Sequence, residues 1–249
     1  MAHETHALTN ADGTFDLHVF TPAGAGPWPA VFFCMDGGGV RPTLFAMCER
    51  LAANGYLVAL PDLFHRSGKY DPTEVFAMVA DPARRPHWFQ TYFLPATKME
   101  NFKRDAECVL NHLSARADVL QARLGTVGYC LGGNLALKLA GLFGARVSAA
   151  ASFHGGGLAA DSPDSPHTLA AQMKARLYIG AATDDGSFPE AMKDKLVATL
   201  TAAGVQFALE TYPARHGFAI EDHYSGYDRA AADRHWATLL QFFAETLKT

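Results

Sequence analysis

The sequence predicts an α/β fold in which a mostly parallel central sheet is covered by helices on both faces. Short, nearly continuous apolar runs alternate with longer segments of helical period, and no repeat or low-complexity linker interrupts the alternation. Strands that are apolar along their whole length are typical of parallel sheets with both faces buried. The chain has 249 residues, of which 49% are hydrophobic and 18% charged, as is ordinary for a globular enzyme. We therefore expect one domain spanning residues 1–249.

The predicted strands are short runs rich in apolar, β-branched and aromatic residues. They are Asp16–Thr21, Pro29–Met35, Tyr56–Pro61, Leu124–Cys130, Val147–Phe153, Ala175–Ala181 and Val205–Tyr212. The segments between and after them have amphipathic helical spacing, and they are Thr43–Ala53, Met99–Arg116, Leu131–Phe143, Phe188–Ala203 and Asp228–Leu247. Ser187 is a candidate N-cap for the fourth of these helices, and Gly204 suits the left-handed position after its end.

Two segments fit the alternation poorly and are predicted to be loops. His65–Pro95 is rich in Pro, Arg and aromatic residues, and Gly155–His167 is rich in Gly, Pro, Ser and Asp. Loops that follow the carboxyl ends of parallel strands crowd the ligand site of such folds. Both segments are therefore candidates to line a site, although most of their length reads as ordinary surface loop.

Charge and patterning exclude several function classes. The formal charge of −4 and the isoelectric point near 6.2 give no basic surface for a nucleic acid. No apolar stretch approaches the roughly 18 residues that span a bilayer, and the N-terminus does not resemble a signal peptide. The four cysteines are widely spaced and form no C-x-x-C pair. These features predict reduced thiols and a cytoplasmic protein without a membrane partner.

Cys130 differs from the other cysteines because it lies in a strand–turn–helix context. The segment Gly128–Gly133 reads GYCLGG, follows an apolar run and precedes the helical segment Asn134–Leu142. This is the context of a nucleophile elbow, with Cys where Ser is more common, and it predicts an α/β-hydrolase fold. Glycines at 128 and 132 would allow strand and helix to approach closely. A thiol at a helix N-terminus is favoured as thiolate, so Cys130 is the candidate nucleophile.

A nucleophile of this kind needs a histidine base and an acid that orients the histidine. In this fold the acid and then the histidine follow the nucleophile, each after a later strand. His216, in the segment Ala214–Phe218, fits the base because Gly217 suits a tight loop. The acid is Asp185, four residues before Pro189, with Asp184 as the alternative.

The oxyanion of the tetrahedral intermediate requires two N–H donors. The amide of Leu131, next to the nucleophile, is the first candidate. The second is the amide of Gly37, in the segment Asp36–Gly39 (DGGG) that follows the predicted strand Pro29–Met35. Glycines there would let the backbone approach a substrate closely.

These residues together resemble the dienelactone hydrolase family over nearly the whole chain. The shared motifs are GYCLGG at Gly128–Gly133, D-x-x-x-P at Asp185–Pro189, HGF at His216–Phe218, NGY at Asn54–Tyr56 with PDL at Pro61–Leu63, and Tyr227-Asp228 before the last helix. The resemblance implies a Cys–Asp–His triad that hydrolyses small esters or lactones and uses neither a metal nor a cofactor.

The resemblance also implies an acidic residue that interacts with the resting thiol, and basic residues that bind a substrate carboxylate. Asp36 stands at the acidic position, where the family usually has the longer Glu. Ile220 stands where the family has an arginine shortly after the catalytic histidine. Compensating arginines could be Arg41, Arg66, Arg84, Arg85 or Arg215.

Three alternatives accompany the prediction of a hydrolase for small esters or lactones. A broader carboxylesterase or thioesterase for neutral acyl substrates is favoured by Ile220. A non-catalytic binding protein on the same fold is disfavoured by the complete triad. A metalloenzyme built around His154 and its glycines is disfavoured because no histidine pair has the spacing of a helical metal motif such as H-E-x-x-H.

Overall fold

Eight strands form one sheet in the computed structural model, which describes residues 1–183 and 185–248 except for the side chain of Arg123. The strands are β1 Ala2–Asn10, β2 Gly13–Thr21, β3 Trp28–Cys34, β4 Leu57–Pro61, β5 Val119–Tyr129, β6 Val147–Phe153, β7 Arg176–Ala182 and β8 Phe207–Tyr212. Their order in the sheet is β1-β2-β4-β3-β5-β6-β7-β8. β2 is antiparallel to β1 and to β4, and all other pairs are parallel.

Helices surround this sheet. The α-helices are α1 Pro42–Ala53, α2 Pro72–Ala80, α3 Arg85–Trp88, α4 Leu94–Thr97, α5 Met99–Ser114, α6 Leu131–Leu142, α7 Glu190–Ala202 and α8 Arg229–Leu247. A π-helical turn, Phe89–Phe93, joins α3 to α4, and 3₁₀ turns lie at His65–Ser67 and Pro166–Gln172. The buried core fills the space between these helices and the sheet.

Strand β5 shows that helices cover both faces of the sheet. A Cβ atom added at Gly125 would meet side chains of α8, whereas one added at Gly128 would meet the backbone of α6. Positions three apart on a strand point to opposite faces. α8 and α6 therefore pack on opposite sides of the central strand, as the apolar character of that strand predicts.

Most predicted strands and helices are confirmed within a few residues, and the differences are local. Strand β1 was not predicted, because its exposed, polar sequence lacks a buried face. The segment His65–Pro95 contains α2 and α3 in place of a continuous loop. The N-cap prediction for Ser187 is wrong, since α7 begins at Glu190 with Pro189 before it. Gly204 does adopt the left-handed conformation after α7, with φ +68°.

No helix among the described residues combines the length and the apolar character that a bilayer-spanning helix requires.

Candidate active site

Cys130 occupies a strained turn between β5 and α6. Its φ of 56° lies in the left-handed region, and only one other non-glycine residue of the described chain, His154, shares that sign. A Cβ atom at Gly128 would lie 1.9 Å from the carbonyl oxygen of Gly132, and one at Gly132 would lie 2.2 Å from that of Cys34. Only glycine fits at these two positions, so the sequence fixes a turn that presents Cys130 at the start of α6.

Asp185 and His216 come together above the carboxyl ends of neighbouring strands. Asp185 follows β7 and His216 follows β8, and these two strands pair in parallel. The Nδ1 atom of His216 lies 2.7 Å from Oδ2 of Asp185. This contact fixes the orientation of the imidazole ring, which is the role predicted for an acid in such a triad.

The charges around His216 favour its protonated form. Burial lowers the pKa of the imidazole, but its interactions with the neighbouring Cys130 and with the Asp185 carboxylate outweigh burial and raise the pKa to about 10. Burial opposes the charge of Asp185 as well, but its hydrogen bonds from His216 and Ser187 lower the pKa of the carboxyl. Cys130, His216 and Asp185 therefore form one electrostatically coupled group.

Ser187 is a site residue that the sequence analysis assigned to a different role. Its hydroxyl donates to Oδ1 of Asp185 at 2.6 Å, and its backbone N–H donates to the same oxygen at 2.9 Å. An aspartate side chain often accepts a hydrogen bond from the backbone two residues later, which forms a local turn. The spacing of Asp185 and Ser187 in the sequence could therefore have indicated this contact. Asp184, the alternative acid, lies outside the described residues.

The segment Asp36–Gly39 follows β3 and lies beside the elbow. Gly37 and Leu131 line the same cavity as Cys130, as an oxyanion hole requires. Leu131 is the first residue of α6, so its N–H belongs to the helix-terminal donors that have no partner within the helix. The indole nitrogen of Trp88 donates to the carbonyl oxygen of Gly37 at 3.0 Å and thereby anchors this segment.

A cavity of about 700 Å³ opens above Cys130. Its walls combine Cys130, Asp185 and His216 with apolar side chains from the segment His65–Pro95, which is one of the two segments that the sequence offers as candidates to line a site. The apolar wall residues are Phe76, Val79, Trp88, Phe89 and Phe93. The cavity is large enough for a small organic substrate and mostly apolar, as small-molecule sites usually are.

The model of the Dienelactone hydrolase family matches residues 15–247. The chain belongs to the dienelactone hydrolase family. A "Putative carboxymethylenebutenolidase" of Synechocystis sp. is 27% identical over 236 residues, which cover 91% of this chain and 90% of that protein. The carboxymethylenebutenolidase of Pseudomonas sp. strain P51 is 27% identical over 210 residues, covering 83% and 80%. The crystal structure of a "Putative Dienelactone Hydrolase" from Klebsiella pneumoniae superposes with a TM-score of 0.84 at 25% identity and covers 98% of each chain.

In the present chain, the acidic residue predicted to control the thiol, Asp36, belongs to an ion pair. Both oxygens of Asp36 accept hydrogen bonds from Arg41, and Oδ1 also accepts one from the backbone of Gly38. Arg41 in turn donates to both oxygens of Asp222. Asp36 lines the cavity beside Cys130, but these partners occupy its carboxylate. Its role in controlling the thiol remains a prediction.

The five arginines considered as carboxylate binders separate into two groups. Arg41, Arg66 and Arg84 are each paired with aspartate or glutamate side chains. Arg85 and Arg215 line the cavity and have no carboxylate partner among the residues that the structure describes. Ile220, at the position where the family carries an arginine, is fully buried and also lines the cavity.

His154 lies beside this site without forming a metal centre. No cluster of three or more metal-ligating side chains occurs within residues 1–183 and 185–248. The ring of His154 lines the cavity and packs edge-on against the ring of His216, with 5.2 Å between centroids.

Proposed function

We propose that this chain hydrolyses small carboxylic esters or lactones through a thioester on Cys130. The observation that carries the proposal is the 2.7 Å contact between His216 and Asp185, made by a histidine whose pKa Cys130 and Asp185 raise to about 10 despite its burial. A nucleophile, a base and an acid in contact, in the chain order of this fold, are the parts that acyl transfer requires.

In the proposed reaction, the Cys130 thiolate attacks the ester carbonyl carbon while the amides of Gly37 and Leu131 stabilise the oxyanion. Collapse of the tetrahedral intermediate breaks the carbon–oxygen bond, and the imidazolium of His216 protonates the leaving alkoxide. The now neutral His216 then removes a proton from water, which attacks the thioester. Collapse of this second intermediate releases the carboxylic acid and regenerates the thiolate–imidazolium pair. Asp185 keeps the imidazole oriented throughout.

The positions of Arg85 and Arg215 support the proposal that the substrate carries a carboxylate. Both line the cavity, and the described residues provide neither with a carboxylate partner, so an anionic substrate would find two cations there. Arg85 donates through Nε to the carbonyl oxygen of Val79, which holds its side chain against α2. Charge-assisted hydrogen bonds from arginine to carboxylate are among the strong polar contacts of proteins.

The second candidate function is a carboxylesterase or thioesterase for neutral acyl groups. Ile220 favours it, because an apolar side chain fills the position of the family's arginine. The ratio of kcat/KM for an anionic lactone to that for a neutral ester of equal size distinguishes the two functions. If the enzyme is specific for anionic substrates, the double variant R85Q/R215Q should lower this ratio at least tenfold. If the enzyme acts on neutral acyl groups, the double variant should leave the ratio unchanged.

The central experiment exposes the protein to an activated ester such as p-nitrophenyl acetate. We expect a burst of p-nitrophenol and an acetyl group on Cys130 by mass spectrometry, and we expect C130A to lose both. C108A is the matched control, since Cys108 is another partly exposed free cysteine and lies in α5. Unchanged turnover in C130A would contradict the proposal, and ligand binding without turnover in the wild type would indicate a non-catalytic binding protein.

A further inference from the structure

Ser187 contacts both of the residues that are proposed to serve Cys130. It lies two residues after Asp185, between β7 and α7. Its hydroxyl donates to Oδ1 of Asp185 at 2.6 Å, and the hydroxyl oxygen lies 3.3 Å from Nδ1 of His216. Nδ1 in turn contacts Oδ2 of Asp185 at 2.7 Å. The hydroxyl, the carboxylate and the imidazole therefore form a closed triangle of polar contacts.

The hydrogens of this triangle have one consistent arrangement. Burial raises the pKa of Asp185, but hydrogen bonds from His216 and Ser187 outweigh burial and lower it, so the group is a carboxylate that can only accept. The single hydroxyl hydrogen of Ser187 is therefore committed to Oδ1 of Asp185. Towards His216 the hydroxyl oxygen can only accept, so the hydrogen between them belongs to Nδ1. That N–H is shared between Oδ2 of Asp185 and Oγ of Ser187 in a three-centre hydrogen bond.

Two donors on one oxygen fix the direction of the Asp185 carboxylate. Oδ1 accepts from the hydroxyl of Ser187 at 2.6 Å and from its backbone N–H at 2.9 Å, which leaves Oδ2 to face His216. Asp185 is 9% exposed, whereas Ser187 is exposed and lines the cavity. Water from the cavity would therefore take the place of the hydroxyl if it were removed.

Backbone contacts hold Ser187 in place independently of its hydroxyl. The N–H of Gly157 donates to the carbonyl oxygen of Ser187 at 2.8 Å, and the N–H of Gly156 donates to the carbonyl oxygen of Cys130 at 3.4 Å. A Cβ atom added at Gly156 would lie 3.0 Å from Oγ of Ser187, so glycine permits this close approach. Loss of the hydroxyl alone should thus leave the loop where it is.

We propose that Ser187 is a positioning residue that keeps the hydrogen of neutral His216 on Nδ1. For its catalytic consequence the inference rests on the proposed function. Once His216 has protonated the leaving alkoxide, its remaining hydrogen must stay on Nδ1 so that Nε2 can take a proton from water. Ser187 gains and loses no proton in this cycle, and it acts only through Asp185 and His216.

The experiment observes the Nδ1–H hydrogen of His216 by NMR in protein labelled with ¹⁵N-histidine, without substrate. The resonance is identified by its loss in H216Q. We expect S187A to raise the exchange rate of this hydrogen with water about tenfold, the factor that corresponds to one hydrogen bond. In turnover of p-nitrophenyl acetate, S187A should lower kcat about tenfold and change KM less than twofold, because proton transfer is impaired more than binding. S187T keeps the hydroxyl and should restore both values.

The matched control is T183V, which removes a hydroxyl from the same loop. The hydroxyl of Thr183 donates to the carbonyl oxygen of Tyr212 at 2.9 Å and anchors the loop to β8. We expect wild-type exchange and kcat in T183V. Wild-type exchange in S187A, or equal increases in S187A and T183V, would overturn the proposal, since equal increases would indicate only a loosened loop.

A second pair of variants applies if S187A does not fold. S187V has the shape of S187T without the hydroxyl, so faster Nδ1–H exchange in S187V than in S187T supports the proposal, and equal exchange overturns it. Because exchange is measured without substrate, this test is separate from that of the proposed function. Absence of any acetyl-enzyme in the wild type would refute the proposed function and leave the exchange result intact.

Discussion

The carboxylate of Asp36 accepts two hydrogen bonds from Arg41, at 2.6 Å from Nη1 and 2.8 Å from Nη2. The other edge of the same guanidinium binds Asp222, at 2.8 Å from both Nε and Nη2. Asp36 lies in the segment that carries the candidate oxyanion donor Gly37, and Asp222 lies six residues after His216. Arg41 therefore ties the two sides of the active site together.

Removal of Arg41 should destabilise the protein strongly. In R41M the Asp36 carboxylate, whose side chain is 3% exposed, would remain buried without its partner. Breaking a buried pair in this way costs about 3–5 kcal/mol. Urea denaturation measures the loss of unfolding free energy. R84M is the control, since Arg84 and Glu74 form an exposed pair for which about 1 kcal/mol or less is expected. Equal losses in the two variants would argue against a structural role for the Arg41 pair.

The ion pair also makes a prediction about the thiol. If Asp36 acted directly on Cys130, D36N would change the pH dependence of iodoacetamide labelling. Because Arg41 and Gly38 occupy the carboxylate, we expect D36N to leave that pH profile unchanged while it lowers thermal stability. Mass spectrometry of labelled Cys130 provides the rates. A displaced profile in D36N would restore the thiol-control role that the sequence suggests.

His216 should titrate far above an ordinary histidine. Burial lowers its pKa, but Cys130 and Asp185 together raise it from 6.5 to about 10. A raised pKa in the folded state stabilises the protein fully below pH 6.5, and this stabilisation disappears as the pH rises through 10. C130S removes the thiolate charge and should bring the NMR titration of His216 to lower pH. It should also flatten the decline of unfolding free energy between pH 7 and 10. Identical titrations in C130S and the wild type would contradict the coupling.

Asp185 should be far more important for turnover than Asp184. Without its carboxylate the imidazole of His216 loses the 2.7 Å contact that orients it, and loss of such an acid lowers kcat by about 10⁴ in a serine protease. We expect D185N to reduce kcat for an activated ester by about 10³ or more, with circular dichroism confirming the fold. D184N is the comparison, and a larger loss there would move the acid to that position.

The sequence predicted the structure best where glycines are required by close backbone contacts and where apolar runs must be buried. The elbow followed from Gly128 and Gly132, whose added Cβ atoms would collide with backbone, and the strand predictions followed from runs buried on both faces. The family fold and the chain order of the candidate triad could therefore be predicted before the contact between Asp185 and His216 was known.

Long-range polar contacts escaped prediction because no local pattern encodes them. Arg41 and Asp222 are 181 positions apart, and their pairing depends on how two loops meet above the sheet. Ser187 was predicted to cap a helix because Ser commonly does so, but in the structure its hydroxyl donates to Asp185 instead. Strand β1 has no buried face, and only its pairing with β2 identifies it.

Trp88 should affect catalysis through Gly37. The indole N–H donates to the carbonyl oxygen of Gly37 at 3.0 Å, and a Cβ atom at Gly37 would lie 2.9 Å from the indole ring. In W88F the aromatic packing is largely kept, but the segment Asp36–Gly39 loses this anchor. We expect kcat for p-nitrophenyl acetate to fall about tenfold, because a displaced oxyanion donor weakens the transition state more than the bound substrate. KM should change less than threefold.

The control for Trp88 is F93L, which alters another apolar wall of the same cavity without a hydrogen bond to Gly37. A variant that only reshapes the cavity should change KM more than kcat, whereas loss of oxyanion stabilisation should appear in kcat. If W88F raises KM and leaves kcat intact, then Trp88 contributes to substrate binding alone. The Gly37 amide would then be positioned by Asp36 and Arg41 without help from the indole.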